Sequence, residues 1–204
     1  MTITIVQSLQ SFFSAAIDRA LARCAIEPGP DVTAYLQHVL TARAKPSAGS
    51  RHGVVADNGS LVIALDQARS TQPSLRAAAY ISVGEQALCA HGFFERSEHR
   101  AVYEQIGSLA YREAVLLLDS QQTLVPLAPE TMAPQKIRSA LDELSVNFVQ
   151  YALVVSELAV AASLGETTRD LVKLYEAWRH APCPSAVEAL AQAGAFPTKT
   201  EADA

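Results

Sequence analysis

Cysteine is scarce in this 204-residue chain, and its three copies, Cys24, Cys89 and Cys183, stand far apart with no C-x-x-C pair. An odd number at such spacings argues against a disulfide framework or a structural zinc centre and implies a reducing compartment, the cytoplasm. Positive charge is also in short supply. Sixteen Lys and Arg against 21 Asp and Glu give a net charge of -5, and the basic residues are scattered. Such a chain has no electrostatic footprint for a phosphate backbone, so no nucleic acid partner is expected. Strict apolar-polar alternation is missing over any useful length, which removes the signature of a β-sheet. Met1 to Gln10 lacks a basic region followed by a long apolar stretch, so no secretory signal is read there. The Asn58-Gly59-Ser60 acceptor is then a chance match. Catalytic signatures are absent too: no H-E-x-x-H, no serine-hydrolase elbow, no phosphate loop and no dinucleotide fingerprint.

What the chain has is aliphatic side chains. Half of its residues are hydrophobic, enough for a sizeable core. They recur at intervals of three and four, which predicts an all-α, single-domain orthogonal or up-down bundle of about seven to eight helices over residues 1–198, with residues 199–204 a disordered tail. The first helix is expected over Val6 to Ile26, with Leu9, Phe12, Phe13, Ala16, Leu21 and Ala22 inward, and Pro28-Gly29-Pro30 ends it. Asp31 is placed as the cap of the next, whose inward residues are Leu36, Val39 and Leu40. A loop rich in Pro, Ser and Gly over Lys45 to Gly59 precedes a short helix with Leu61, Val62 and Leu65 on one face.

Ala77 to Leu88 is apolar on nearly every side, as a central helix should be. Glu98 to Leu118 carries an apolar stripe, Tyr103, Ile106, Ala110, Ala114 and Leu117, opposite Glu104, Ser108 and Arg112. A proline-bearing linker, Pro126 to Pro134, leads to the longest expected helix, Gln135 to Leu164. There Ile137, Leu141, Leu144, Phe148, Tyr151, Val155, Leu158 and Ala162 alternate steps of four and three, a heptad seam that favours shallow packing inside the same chain. Leu144 to Leu164 is long enough to span a bilayer, but Asn147, Gln150, Ser156 and Glu157 interrupt it, so it reads as a core helix and no membrane span is expected. Beyond Gly165, an inward face at Leu171, Leu174, Tyr175 and Trp178 is followed by Pro182. A capping box, Ser185 with Glu188, then opens a last helix containing Val187, Leu190 and Ala191.

The string Ala90-His-Gly-Phe-Phe-Glu95, with Gly107-Ser-Leu-Ala-Tyr111 and Leu174-Tyr-Glu-Ala-Trp178, resembles a family of bacterial all-α proteins marked by a GFF(P)E motif. The resemblance covers most of the chain after Asp31. The family motif reads Phe-Pro-Glu, whereas Phe93-Phe94-Glu95 has no proline. The resemblance implies a single helical domain in a bacterium and supplies no catalytic residue.

Polar groups concentrate between His91 and Arg112. His91, Glu95, Glu98 and His99 are ligand types that zinc or iron accepts. A helix broken at Gly92 lets the two histidines face one another, and a continuous one puts His91, Glu95 and Glu98 on one face. Without a recognised ligand spacing the expected role of Glu95 is to cap the next helix, and neither a metal nor a cofactor is assigned. Cys89 precedes His91 by two residues, about 200° around a helix, which points the pair apart. Tyr103, Gly107 and Tyr111 form one stripe, and Tyr80 with Gly84 another. Glycine inside a helix costs about 1 kcal/mol relative to alanine, so something approaches the backbone there: a neighbouring helix, or a flat ligand between tyrosines. The expected function is a non-catalytic helical interaction or regulatory protein, with a protein partner or self-association open. The alternative is a small-molecule binder or enzyme using His91, Glu95, His99, Tyr103, Tyr111 and Arg112.

Overall fold

The computed structural model describes residues 2–44, 61–93, 99–120, 132–163 and 183–192. Among these residues the chain is all α, with eight helices and no strand. They are α1 (Thr2–Arg23), α2 (Pro30–Ala44), α3 (Leu61–Ser70), α4 (Pro73–Phe93), α5 (Arg100–Ser120), α6 (Pro134–Val146), α7 (Phe148–Ser163) and α8 (Pro184–Gln192). Pro30, Pro73, Pro134 and Pro184 each open a helix, where a missing N–H costs nothing and a fixed φ suits the first turn. The expected loop over Lys45 to Gly59, the linker centre, the face from Leu171 to Trp178 and the tail lie outside the described residues.

Helix α4 is the central element. From Arg76 to Gly92 none of its residues is exposed, and it packs on α3, α5 and α7. Around it one continuous core joins Ile17 of α1, Leu36 of α2, Leu65 of α3, Ala110 of α5, Leu141 of α6 and Tyr151 of α7. A satellite cluster of Cys183, Ala186 and Leu190 seats α8 against Leu153 and Val160 of α7.

The expected long helix is two. Asn147, at φ -108° and ψ 29°, interrupts it, and α6 and α7 meet at an elbow bent by 95°. The seam residues Ile137, Leu141, Leu144, Phe148, Tyr151 and Val155 are nevertheless all buried. The reason is tertiary: α6 packs on α5 and α2, whereas α7 packs on α4 and α1, and one straight rod cannot follow both. Asparagine, a poor helix former that bonds locally, takes the break. The Ser108 hydroxyl of α5 donates to the Ser145 carbonyl beside it, so one polar residue of the α5 face is used internally. Among the described residues no single helix is long and apolar enough to cross a membrane, and the pair with that composition is the bent one.

Smaller expectations also change. Phe12 (56% exposed) and Ala22 face outward, and Ile17 and Ala20 are buried instead, because the contact stripe of α1 runs through Phe13, Ile17, Leu21 and Cys24. Val62 is exposed while Leu61 and Leu65 are buried. Asp31 lies in the first turn of α2, not at its cap. Ser185 and Glu188 form no capping box: both turn toward Arg23 of α1, and Ala186 rather than Val187 joins Leu190 in the interior.

Candidate functional site

The helical ladder of α4 runs through Gly92 to Phe93, so His91 stays on the central helix. It is 4% exposed, and its Nε2 lies 2.9 Å from Glu104 Oε1 of α5. Its ring stands edge-on to Phe148, centroids 6.3 Å apart. Burial pushes the imidazole pKa below the ordinary 6.5; the hydrogen bond to Glu104 opposes this, and the Arg100 charge adds to it. His99 lies just ahead of α5, exposed, its ring 6.2 Å from the half-buried Tyr103. Glu95 and Glu98 are outside the described residues. Arg112 is exposed.

Tyr111 is fully buried. A Cβ on Gly84 would sit 2.6 Å from its ring, and a Cβ on Gly107 would overlap the Phe148 ring and touch Ala87. The two glycine gaps are thus filled by the protein's own rings, with Tyr111 and Phe148 centroids 6.2 Å apart. The Tyr111 hydroxyl is buried and has no hydrogen-bond partner among the described residues, and burial followed by the Glu85 charge holds its pKa well above the ordinary 10. The structure therefore groups His91, Tyr111 and Phe148, and separately His99 with Tyr103. Sequence spacing could not supply Glu104 or Phe148, since each arrives from another helix.

The thiols are held protonated. Burial raises Cys24 and Cys89 to about 11 and Cys183 to about 12. Among the described residues no group of three or more His, Cys, Asp or Glu side chains is arranged to hold a metal ion.

Two carboxylates that the sequence did not place in a site do more. Glu157, 1% exposed on α7, accepts from the Ser185 amide at 3.0 Å, from the Ser185 hydroxyl and from Arg23 Nη1 at 3.3 Å. Its sequence signal was a lone acid in an apolar run. Glu143, near the end of α6, accepts the Gly29 amide at 3.0 Å with Oε1 and, on the same oxygen, the Tyr151 hydroxyl. Burial, helped by Glu143, raises the Tyr151 phenol well above its ordinary value. Glu143 also borders a cleft of about 320 Å³ with Cys24, Ala25, Ile26, Glu27, Asn147, Gln150, Tyr151 and Leu153. The cleft is built where α1 ends with Ala25 at φ 54°, α2 begins, and the α6–α7 elbow turns.

Fold and site together define an all-α bundle with a polar cleft at a helix elbow. No family model, curated protein or solved structure matches the chain.

Proposed function

We propose that the protein is a non-catalytic regulatory module that binds a small ligand in the cleft beside the elbow. One observation carries this reading: the Glu143 carboxylate that borders the cleft also accepts from the Gly29 amide just ahead of α2 and from Tyr151 of α7. A ligand that touches Glu143 acts on the junction of three helices. About 320 Å³ falls at the lower end of ordinary ligand pockets, roughly 300–1,000 Å³. The three thiols, held protonated by burial, do not read as activated nucleophiles.

A protein partner is the weaker reading of the same region. Val146 (77% exposed) and Val149 (54%) project from the elbow, but a stable interface buries about 800 Å² per partner, far more than two valines provide. The ligand reading of His91, Glu95, His99, Tyr103, Tyr111 and Arg112 remains the alternative, with Phe148 now standing beside Gly107. Free thiols suit the reducing cytoplasm expected from cysteine usage, while a bacterial origin rests on the resemblance alone.

Amide hydrogen exchange of the full chain with a panel of small metabolites tests the proposal. A binding compound should raise protection around residues 24–30 and 143–153. Protection confined to residues 91–111 would transfer the site to the alternative, and a panel without effect anywhere would remove the ligand reading.

A further inference from the structure

We infer that Arg43 and Tyr111 hold a small monocarboxylate between α2, α4 and α5, at a site apart from the elbow cleft. Two polar atoms point to it. Among the described residues the Arg43 Nε and the Tyr111 hydroxyl are both closed off from solvent without a hydrogen-bond partner. Arg43 enters no ion pair there either. A buried guanidinium lacking its counter-charge and a buried donor lacking its acceptor are each costly, and one bound carboxylate relieves both.

The helices bring these groups together. Tyr35, Val39 and Arg43 follow at intervals of four along α2, and Glu85 and Cys89 do so along α4. The Tyr35 hydroxyl donates to Glu85 Oε1 at 2.8 Å, which sets the two stripes face to face. From α5 the fully buried Tyr111 lies against Gly84, its Cζ 2.9 Å from where a Cβ would stand, so the hydroxyl reaches α4 beside Glu85. Burial and then Glu85 raise the Tyr111 phenol, and burial raises the Cys89 thiol to about 11. The Arg43 charge opposes both shifts, which puts the guanidinium within electrostatic reach of each. Charge narrows the ligand. Glu85 and the C-terminal end of α2, where Arg43 stands, are negative, so the site takes a single charge spread over two oxygens rather than a phosphate dianion. Both donor atoms are enclosed, so the alkyl part is short, and half-buried Arg43 gives the way in.

The test is an NMR titration of the full chain at constant ionic strength and about pH 7 with acetate, acetamide and inorganic phosphate. Saturating shifts around residues 43, 85–89 and 111 are expected from acetate, with acetamide and phosphate about tenfold weaker or more. Arg43→Gln and Tyr111→Phe should each weaken acetate about tenfold, the loss of a hydrogen bond to a charged group, while Tyr111→Phe melts no lower than the parent without acetate. If acetamide or phosphate binds as tightly as acetate, the monocarboxylate assignment is wrong. If acetate binds both variants as it binds the parent, these residues do not form the site. Acetate shifts confined to residues 24–30 and 143–153, or no saturable shift at all, overturn the inference and leave the proposed cleft to its own test.

Discussion

Phe148 sets the requirement for glycine at position 107, since any side chain there would occupy the space of its ring. Gly107→Leu should therefore cost about 1–3 kcal/mol by overpacking, read in a denaturant melt. Tyr111→Phe removes a buried hydroxyl that has no partner among the described residues, so it should be neutral or stabilise by up to about 1 kcal/mol. A clear loss in that variant would mean that the hydroxyl has a polar partner. His91 adds a pH dependence. Its folded pKa is depressed, so the unfolded chain binds the proton more tightly; the stability linked to its neutrality is complete above about 6.5 and declines as pH falls below it. Between about pH 7 and about pH 5, wild-type melting should fall more steeply than that of His91→Gln, which retains a donor for Glu104 and lacks the titration. Equal slopes would refute the assignment. His91 and both glycines were visible as special residues in the sequence, whereas Glu104 read only as part of the polar face of its helix. Their pairing was not, because His91–Glu104 and Gly84–Tyr111 are products of how α4 crosses α5, which no periodicity within one helix encodes.

Helix by helix, what the sequence made legible was which residues are buried, and what it concealed was direction. The heptad seam correctly marked Leu141, Leu144, Phe148 and Val155 as interior, yet it read as one rod, because burial periodicity continues through a corner when each half finds its own partner helix. The cleft was invisible for the same reason: it exists only because the elbow brings Glu143, Asn147 and Gln150 to the end of α1. α8 is held differently, by a small apolar cluster and the buried Glu157 network. Glu157→Ala should cost about 1.5–3 kcal/mol, the range for hydrogen bonds to a charged group, and amides of residues 184–192 should lose exchange protection ahead of α4. Uniform loss across all helices would show α8 to be part of one cooperative unit.

For the molecule as a whole, the seam is consumed inside the chain. Leu144→Asp or Phe148→Asp places a charge at a fully enclosed site and should abolish folding, seen as loss of the cooperative melt. The melting temperature of the parent should not rise with protein concentration, since no second copy is needed to cover that surface. The wiring of the bundle has a further consequence during synthesis. α1 and α2 rest chiefly against each other, and their further supports, α7 for α1 and α6 for α2, are encoded far downstream. At about 5–20 residues per second, the ribosome needs roughly 6–24 s after completing α2 to finish α7. Through that interval Ile17, Leu21, Leu36 and Leu40 lack the cover that α6 and α7 later supply. A fragment of residues 1–132 should therefore show weaker amide protection in α1 and α2 than the full chain does, restored when a peptide spanning residues 134–163 is supplied.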